Sequence, residues 1–452
     1  MPNTEETIVV GGGFAGLVAA YLLAEQGHAV TVLSRAPLGG IAGGIGWRDF
    51  SLDLGCHIFG NSDDRTTEVL LALLDNDVIP VHMRFASQFG GERLEGFEIP
   101  NLAAVADSAQ MVLEIARAAS MEHEPAGTLE ELLVQRFGPT AAAAAAAAFE
   151  KIYRTAPSNV APEAIAATCF KRIRVVEDEA AHILKQSSAL DAVIAAGSQE
   201  DPMKFYRDCE RAPYRAFYPA KNGMAGFVAS AKRVLGAMGV SFAVGDAIEE
   251  VQLGARVSVR TSKRVHTADS CIWTAGMGAL EQTLVGTRTL EGTSHGVPMA
   301  LFYYDIDCAQ SGPYSYVNNF DSEKLVFRAA LPGSYGQGSN CPEGRAYLCC
   351  EVPTERDSAV FAHPDDFAAT VWDEACALGV VTGSYEHFRT LTTPVSYKVP
   401  MAHFASTAEP IREQLEGDHR LVVTNEWAFT KNGIIVDVEG CIGALAATRR
   451  AA

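Results

Sequence analysis

Long apolar runs are missing from this 452-residue chain. No stretch approaches the roughly 20 apolar residues that a bilayer-spanning helix requires, so no membrane span is expected. Basic residues are scarce: Lys and Arg number 36 against 55 Asp and Glu, a formal net charge of −19. Such a surface repels nucleic acid and anionic membranes, although it leaves room for a local basic cradle. The 10 cysteines form no Cys-x-x-Cys pair, and the 11 histidines show no His-Glu-x-x-His or similar spacing. Neither a disulfide framework nor a metal site is therefore expected. Buried thiols suit a reducing compartment, and Cys349-Cys350 sit on a strand-like segment where neighbouring side chains face opposite ways. The acidic opening residues and a glycine-broken first apolar stretch do not read as a secretory signal. The expected location is the cytoplasm.

What is present is ordinary globular material, with 48% hydrophobic and 20% charged residues, enough to build a sizeable core. The length points to two or three domains. The strongest signal is N-terminal: the apolar run Ile8-Val9-Val10, then Gly11, Gly13 and Gly16, a helix-like Leu17–Gln26, and a second apolar run His28–Leu33. Strand, tight turn, helix and strand give Gly-x-Gly-x-x-Gly the context of a dinucleotide site. Gly11 makes the turn, Gly13 admits a pyrophosphate, and Gly16 lets the helix pack closely; Phe14 and Ala15 fill the variable positions. A diphosphate there meets free N–H groups at the positive end of a helix.

The pattern divides the chain into five pieces. Residues 1–62, 215–280 and 405–452 read as parts of one discontinuous Rossmann-like α/β domain. The middle part holds a helix at Gly223–Leu235 and strands near Val240–Val244, Val251, Arg256–Arg260 and Ser270–Thr274; the last holds Arg420–Val423 and a final helix Val438–Arg449. Residues 63–214 are rich in helix formers (Thr66–Leu74, Leu102–Ser120, Leu129–Phe137, and the alanine run Ala141–Ala148) and read as a helical subdomain. Residues 281–404 alternate like strands, as in Ala300–Ile306, Leu325–Ala330 and Ala346–Val352. The two inserted stretches are expected to form a substrate domain of mixed sheet and helices.

A second glycine cluster follows the second strand: Gly39-Gly40, then Gly43-Gly44. With the first motif, this arrangement resembles the FAD-binding superfamily that includes amine oxidases, protoporphyrinogen oxidase and UDP-galactopyranose mutase. Further segments carry the resemblance over most of the chain. Phe50-Ser51-Leu52-Asp53-Leu54-Gly55-Cys56-His57-Ile58-Phe59 resembles the segment that runs past the flavin ring, especially in the mutase form. Tyr218-Pro219-Ala220-Lys221-Asn222-Gly223-Met224 resembles an oxidase-type turn. Phe327-Arg328, Glu343-Gly344 and Glu351 resemble the substrate-domain sheet. Asn425-Glu426-Trp427 and Asn432–Cys441 stand where the closing Gly-Asp and helix hold the ribityl-phosphate end.

The resemblance implies FAD as cofactor and a small-molecule substrate. It assigns cofactor contacts to Gly11, Gly13, Phe14, Ala15, Gly16, Ser34, Arg35, Gly39, Gly40, Gly55, His57, Val251, Glu426 and Val438. The last helix is expected to start near Asp437–Gly440 and to offer its free N–H groups, with Asp437 as a flavin contact or an N-cap. Two departures matter. Ser34 replaces the acidic residue that usually ends the second strand, and Ser34-Arg35 also suits a 2′-phosphate, the NADP reading. Glu426 stands in place of the closing aspartate.

Three residues are candidates for the chemistry. His57 is a ring-side residue or a core histidine bonded to a backbone carbonyl. Arg328 stands where mutase relatives grip a substrate diphosphate, or else pairs with a carboxylate such as Glu351. Tyr397 resembles an aromatic segment beside the flavin. The relatives' second phosphate-gripping arginine, after a motif like Lys171-Arg172-Ile173-Arg174-Val175, falls here on Val176. Trp427 reads as a packing residue. The leading reading is an FAD-dependent oxidoreductase of the amine-oxidase or protoporphyrinogen-oxidase type, oxidising a C–N or C–C bond. The alternatives are a non-redox flavin mutase acting on a nucleotide-sugar, and a flavin fold without cofactor that serves as a binding partner. The oligomeric state, a homodimer included, stays open.

Overall fold

The computed structural model describes residues 4–61, 63–196, 216–416 and 420–451. The chain folds as two compact units. The first comprises Met1–Pro80, Asp208–Thr293 and Phe404–Ala452; the second comprises Val81–Arg207 and Ser294–His403. Residues 63–80, read above as the start of the helical insertion, thus belong to the first unit. The helix Asp64–Leu73 buries Val69, Leu70 and Leu73 in the same core as the first helix, which decides the matter.

The first unit is built on a five-stranded parallel sheet. Its order is Ser241–Val244, then β2 (Ala29–Ser34), β1 (Glu6–Val10), Ser270–Trp273 and Leu421–Val423. The apolar runs of the sequence follow from burial on both faces. Val9, Val32 and Ile272 point one way, against α1 (Phe14–Glu25) and the C-terminal helix. Ile8, Val10, Leu33, Cys271 and Trp273 point the other way, against Val251, Val257 and Val259 of a three-stranded antiparallel meander. Cys349-Cys350 in the second unit behave as expected of a strand pair, and both are fully buried.

The second unit carries a seven-stranded sheet. Its order is His387–Pro400, Ser294–Asp307, Arg345–Pro353, Arg328–Ala330, Tyr316–Asn319, Phe85–Phe89 and Glu92–Glu95. Pairing is antiparallel except between Tyr316–Asn319 and Phe85–Phe89. One face, with Phe302, Tyr304, Leu348, Cys350 and Ala329, packs on the helix Ala368–Ala377. The opposite face bears Tyr303, Glu351, Arg328 and Asn318, because side chains alternate along each strand.

Three helices depart from the expectations. Leu102–Ser120 divides into a short 3-10 turn, Leu102–Ala104, and a helix Ser108–Ala118. Asp107 starts the latter by accepting a hydrogen bond from the Gln110 N–H at 2.9 Å. The alanine run joins the preceding helix into Leu129–Tyr153, kinked at Gly138, whose φ of 76° is open to glycine. Pro139 follows the kink, and Glu114 supplies the cap the interrupted helix needs, accepting from Thr140 N at 2.8 Å and Thr140 Oγ1 at 3.0 Å. The last helix begins at Lys431, not near residue 437.

A carboxylate knot holds the loop after the helix Met277–Leu284. Glu281, fully buried, accepts from Thr287 Oγ1, Thr289 N and Thr289 Oγ1, each at 2.6 Å, and from Leu290 N at 2.9 Å. Burial alone would raise its pKa, but these donors outweigh it and hold the group at about 2. Glu281 therefore contributes stability that is present above the ordinary carboxylate range and lost as pH falls toward 2. Glu281→Ala is expected to cost about 2–4 kcal/mol by leaving several buried donors unpartnered, and to flatten the acid limb of the stability curve, read by denaturant melts between pH 2 and 6.

Candidate functional site

The dinucleotide cradle forms at the carboxyl end of β1. Gly11 has a φ of 117°, and a Cβ there would stand 2.2 Å from Thr274 Oγ1. A Cβ on Gly16 would stand 1.8 Å from the Gly11 carbonyl, so α1 can pack this closely only with glycine at that position. The first intrahelical bond runs from Leu17 N to Gly13 O at 3.0 Å. The amides of Phe14, Ala15 and Gly16 therefore precede the ladder, no side chain caps them, and the first turn holds no acidic residue. Phe14 itself is buried with its ring 5.8 Å from that of Phe227.

The second glycine cluster folds back on the first. Gly39 N donates to Gly12 O at 2.7 Å, Gly39 bridges Gly13, and a Cβ on Gly40 would lie 3.5 Å from Gly13 Cα. A Cβ added to Gly13 would meet nothing within 4 Å. Open space beside three uncapped amides suits a diphosphate in sign of charge.

At the end of β2, Ser34 is buried and its hydroxyl donates to the Ala36 carbonyl at 2.7 Å. Its proton is thereby committed, and its oxygen keeps only acceptor capacity toward a ribose hydroxyl. Arg35 is exposed and, among the described residues, has no hydrogen bond or ion pair. Val251 has its side chain in the core behind the sheet and offers no polar group from it.

Around residues 50–60 the chain is bracketed from two sides. Gly55 has a φ of 106°, and His57 donates from Nε2 to the Leu54 carbonyl at 3.2 Å, half-buried. Lys431 opens the last helix, donates to Ile58 O at 3.1 Å and stands 5.1 Å above the Phe59 ring. The expectation for Val438 is corrected here. It lies in the helix interior with its side chain fully buried in the main core, so the first turn of this helix sits near Lys431 instead. Asp437 is no N-cap: its carboxylate reaches back to accept from Asn425 N at 2.7 Å. Glu426 accepts from Met277 N at 3.1 Å, at the start of the helix Met277–Leu284. Trp427 packs edge-on against Phe404, 4.9 Å between centroids, as a core residue.

Within the second unit, Arg328 and Glu351 face each other in register across adjacent strands. Arg328 donates from Nε to Asn318 Oδ1 at 2.9 Å and from Nη1 to Glu351 Oε1 at 3.3 Å. Tyr397 donates to the other Glu351 oxygen at 2.8 Å. Burial and the neighbouring Glu351 charge push the Tyr397 hydroxyl well above its usual pKa. Arg174 is also buried, 4.6 Å over the Phe97 ring, and paired with Glu177 at 2.9 Å and with Asp178. A carboxylate–histidine group, Asp305, Glu386 and His387, is geometrically close enough for a metal, but Arg345 already pairs with both carboxylates.

Comparison with known proteins bears on the fold. A family model described as an NAD(P)-binding Rossmann-like domain matches residues 9–75. No curated protein matches the sequence. Among solved structures, reduced UDP-galactopyranose mutase superposes with a TM-score of 0.72 at 15% identity, covering 98% of this chain and 94% of the other. A proposed protoporphyrinogen oxidase from Exiguobacterium sp. 255-15 gives a TM-score of 0.66 at 12% identity, covering 99% of each chain. Cyclohexylamine oxidase from Brevibacterium oxydans IH-35A gives 0.61 at 13% identity, covering 99% of this chain and 100% of the other. The fold is the one these three solved structures share. No helix among the described residues is long and apolar enough to cross a membrane.

One residue of the first unit escaped the sequence reading, although its segment was noted. Asp53 is fully buried at the end of the strand Phe50–Asp53. It accepts from Tyr218 Oη at 2.5 Å and from Met224 N at 2.9 Å, capping the helix Gly223–Ala237 from a distant part of the chain. The signal was present: an acid in an otherwise apolar strand needs a partner. Burial raises its pKa to about 7 against the lowering pull of Tyr218, Met224 and the Lys431 charge. A carboxyl raised in the folded state removes stability as pH climbs from its ordinary value toward 7. Thermal melts from pH 4.5 to 8 should show that slope in the natural protein and a flatter one in Asp53→Asn.

Proposed function

We propose that the protein binds FAD and is an oxidoreductase of the amine-oxidase or protoporphyrinogen-oxidase type, oxidising a C–N or C–C bond of a small molecule by hydride transfer from its carbon to the flavin. The observation that carries this reading is the glycine cradle, where the second cluster closes over open space at the uncapped start of α1. When bound, FAD supplies the redox step, and the chain supplies binding, orientation and electrostatics. The amides of Phe14, Ala15 and Gly16 would hold the diphosphate. Gly39 and Gly40 would hold the turn against it, and the Ser34 oxygen, whose proton goes to Ala36, would accept from the ribose. Lys431 fixes the 54–58 segment that carries His57.

The visible spectrum of the purified protein tests the cofactor. Flavin bands support the reading, and a colourless protein that takes up no added FAD sinks it. Gly13→Asp is expected to abolish FAD uptake, because a side chain and a negative charge then fill the diphosphate's place; full retention of FAD in that variant refutes the placement. Release of NADP from denatured protein would favour the Ser34-Arg35 alternative. A second reading, a redox-neutral flavin mutase, draws on the TM-score of 0.72 with the mutase structure. Anaerobic mixing separates the two: bleaching of the flavin by substrate means oxidation, whereas a mutase works only with the flavin already reduced and oxidises nothing.

A further inference from the structure

We propose that Glu351 is a specificity-determining residue that occupies the Arg328 fork and excludes diphosphate-bearing substrates from the sheet of the second unit. A guanidinium grips phosphate by presenting parallel N–H donors to its oxygens. Here one donor of each bidentate edge is turned to a protein acceptor. Arg328 spends Nε on Asn318 and Nη1 on Glu351. The strand register places Glu351 directly opposite, and Phe327 N bonds to the Glu351 carbonyl at 2.9 Å, so the carboxylate is fixed by the ladder itself. Tyr397 pins its second oxygen from a third strand.

Displacing Glu351 would strand a buried carboxylate and the hydroxyl of the half-buried Tyr397, both costly to leave unpaired. A phosphate arriving with Glu351 in place meets a like charge. A second carboxylate reinforces this bias: Glu98 accepts from the Tyr316 hydroxyl, and the Tyr316 ring lies 6.0 Å from the Arg328 guanidinium. Arg174, the buried arginine described above, likewise turns Nη2 to Glu177 and Nη1 to Asp178. The group recognised at this sheet is therefore uncharged or cationic.

The inference rests on reading this unit as the substrate domain, not on the flavin. Calorimetric titration of the full chain with UDP, in the natural protein and in Arg328→Met, Glu351→Gln and the double variant, tests it. Arg328→Met should leave UDP affinity unchanged within twofold. Glu351→Gln, which keeps a partner for Tyr397, should gain at least tenfold, and the double variant should lose that gain. UDP held at the glycine cradle is insensitive to Arg328 and does not imitate this pattern. A tenfold loss of UDP affinity in Arg328→Met overturns the inference without reference to whether Glu351→Gln folds. A folded Glu351→Gln that gains nothing overturns it as well. A chain that takes up FAD and fails this titration refutes Glu351 alone, whereas a colourless chain that passes it refutes only the cofactor.

Discussion

The uncapped amides at the start of α1 set the terms for the rest of the first unit. A helix that begins with a buried aromatic and two small residues, without a side-chain cap, leaves donors that a protein core does not tolerate. Around them the chain spends glycine where a Cβ would collide and leaves space where one would not. The second glycine cluster, pulled in by the Gly39–Gly12 hydrogen bond, completes an anion-shaped hollow. Ser34, Lys431 and Glu426 are arranged around the same carboxyl-terminal strand ends, where parallel sheets place their ligands.

Much of this was legible in the residues. The parallel sheet declared itself through apolar runs with no polar alternation, and the nucleotide turn through glycines between strand and helix. The alternative for Arg328, pairing with Glu351, was also legible, and the structure realises it. What the sequence hid were capping decisions made at long range. The last helix starts at Lys431 because Thr430 accepts from Gly433 N through its hydroxyl at 3.0 Å, a local signal overshadowed by the acid at position 437. Asp437, Glu426 and Asp53 all cap or tie backbone far away in sequence, and one-dimensional spacing carries no trace of such partners.

The second unit shows how charge is handled inside an acidic protein. The buried Arg174 and the half-buried Arg328 and Arg345 are matched with carboxylates of the same unit. Paired charges of this kind contribute little net stability beyond fixing geometry, since desolvation offsets attraction. Their value is orientation: the Arg328–Glu351–Tyr397 chain holds three strands in one register and one hydroxyl in one direction.

The central sheet is assembled from strands that lie at residues 6–10, 29–34, 241–244, 270–273 and 421–423. During synthesis the strand Ser270–Trp273 must wait for its partner Leu421–Val423, which lies far downstream in the chain. Until then that flank presents unsatisfied backbone to the cell, the kind of template on which other chains add. Completion of this sheet is thus a late event of synthesis, and a chaperone that shields that flank would protect the chain until its partner strand arrives.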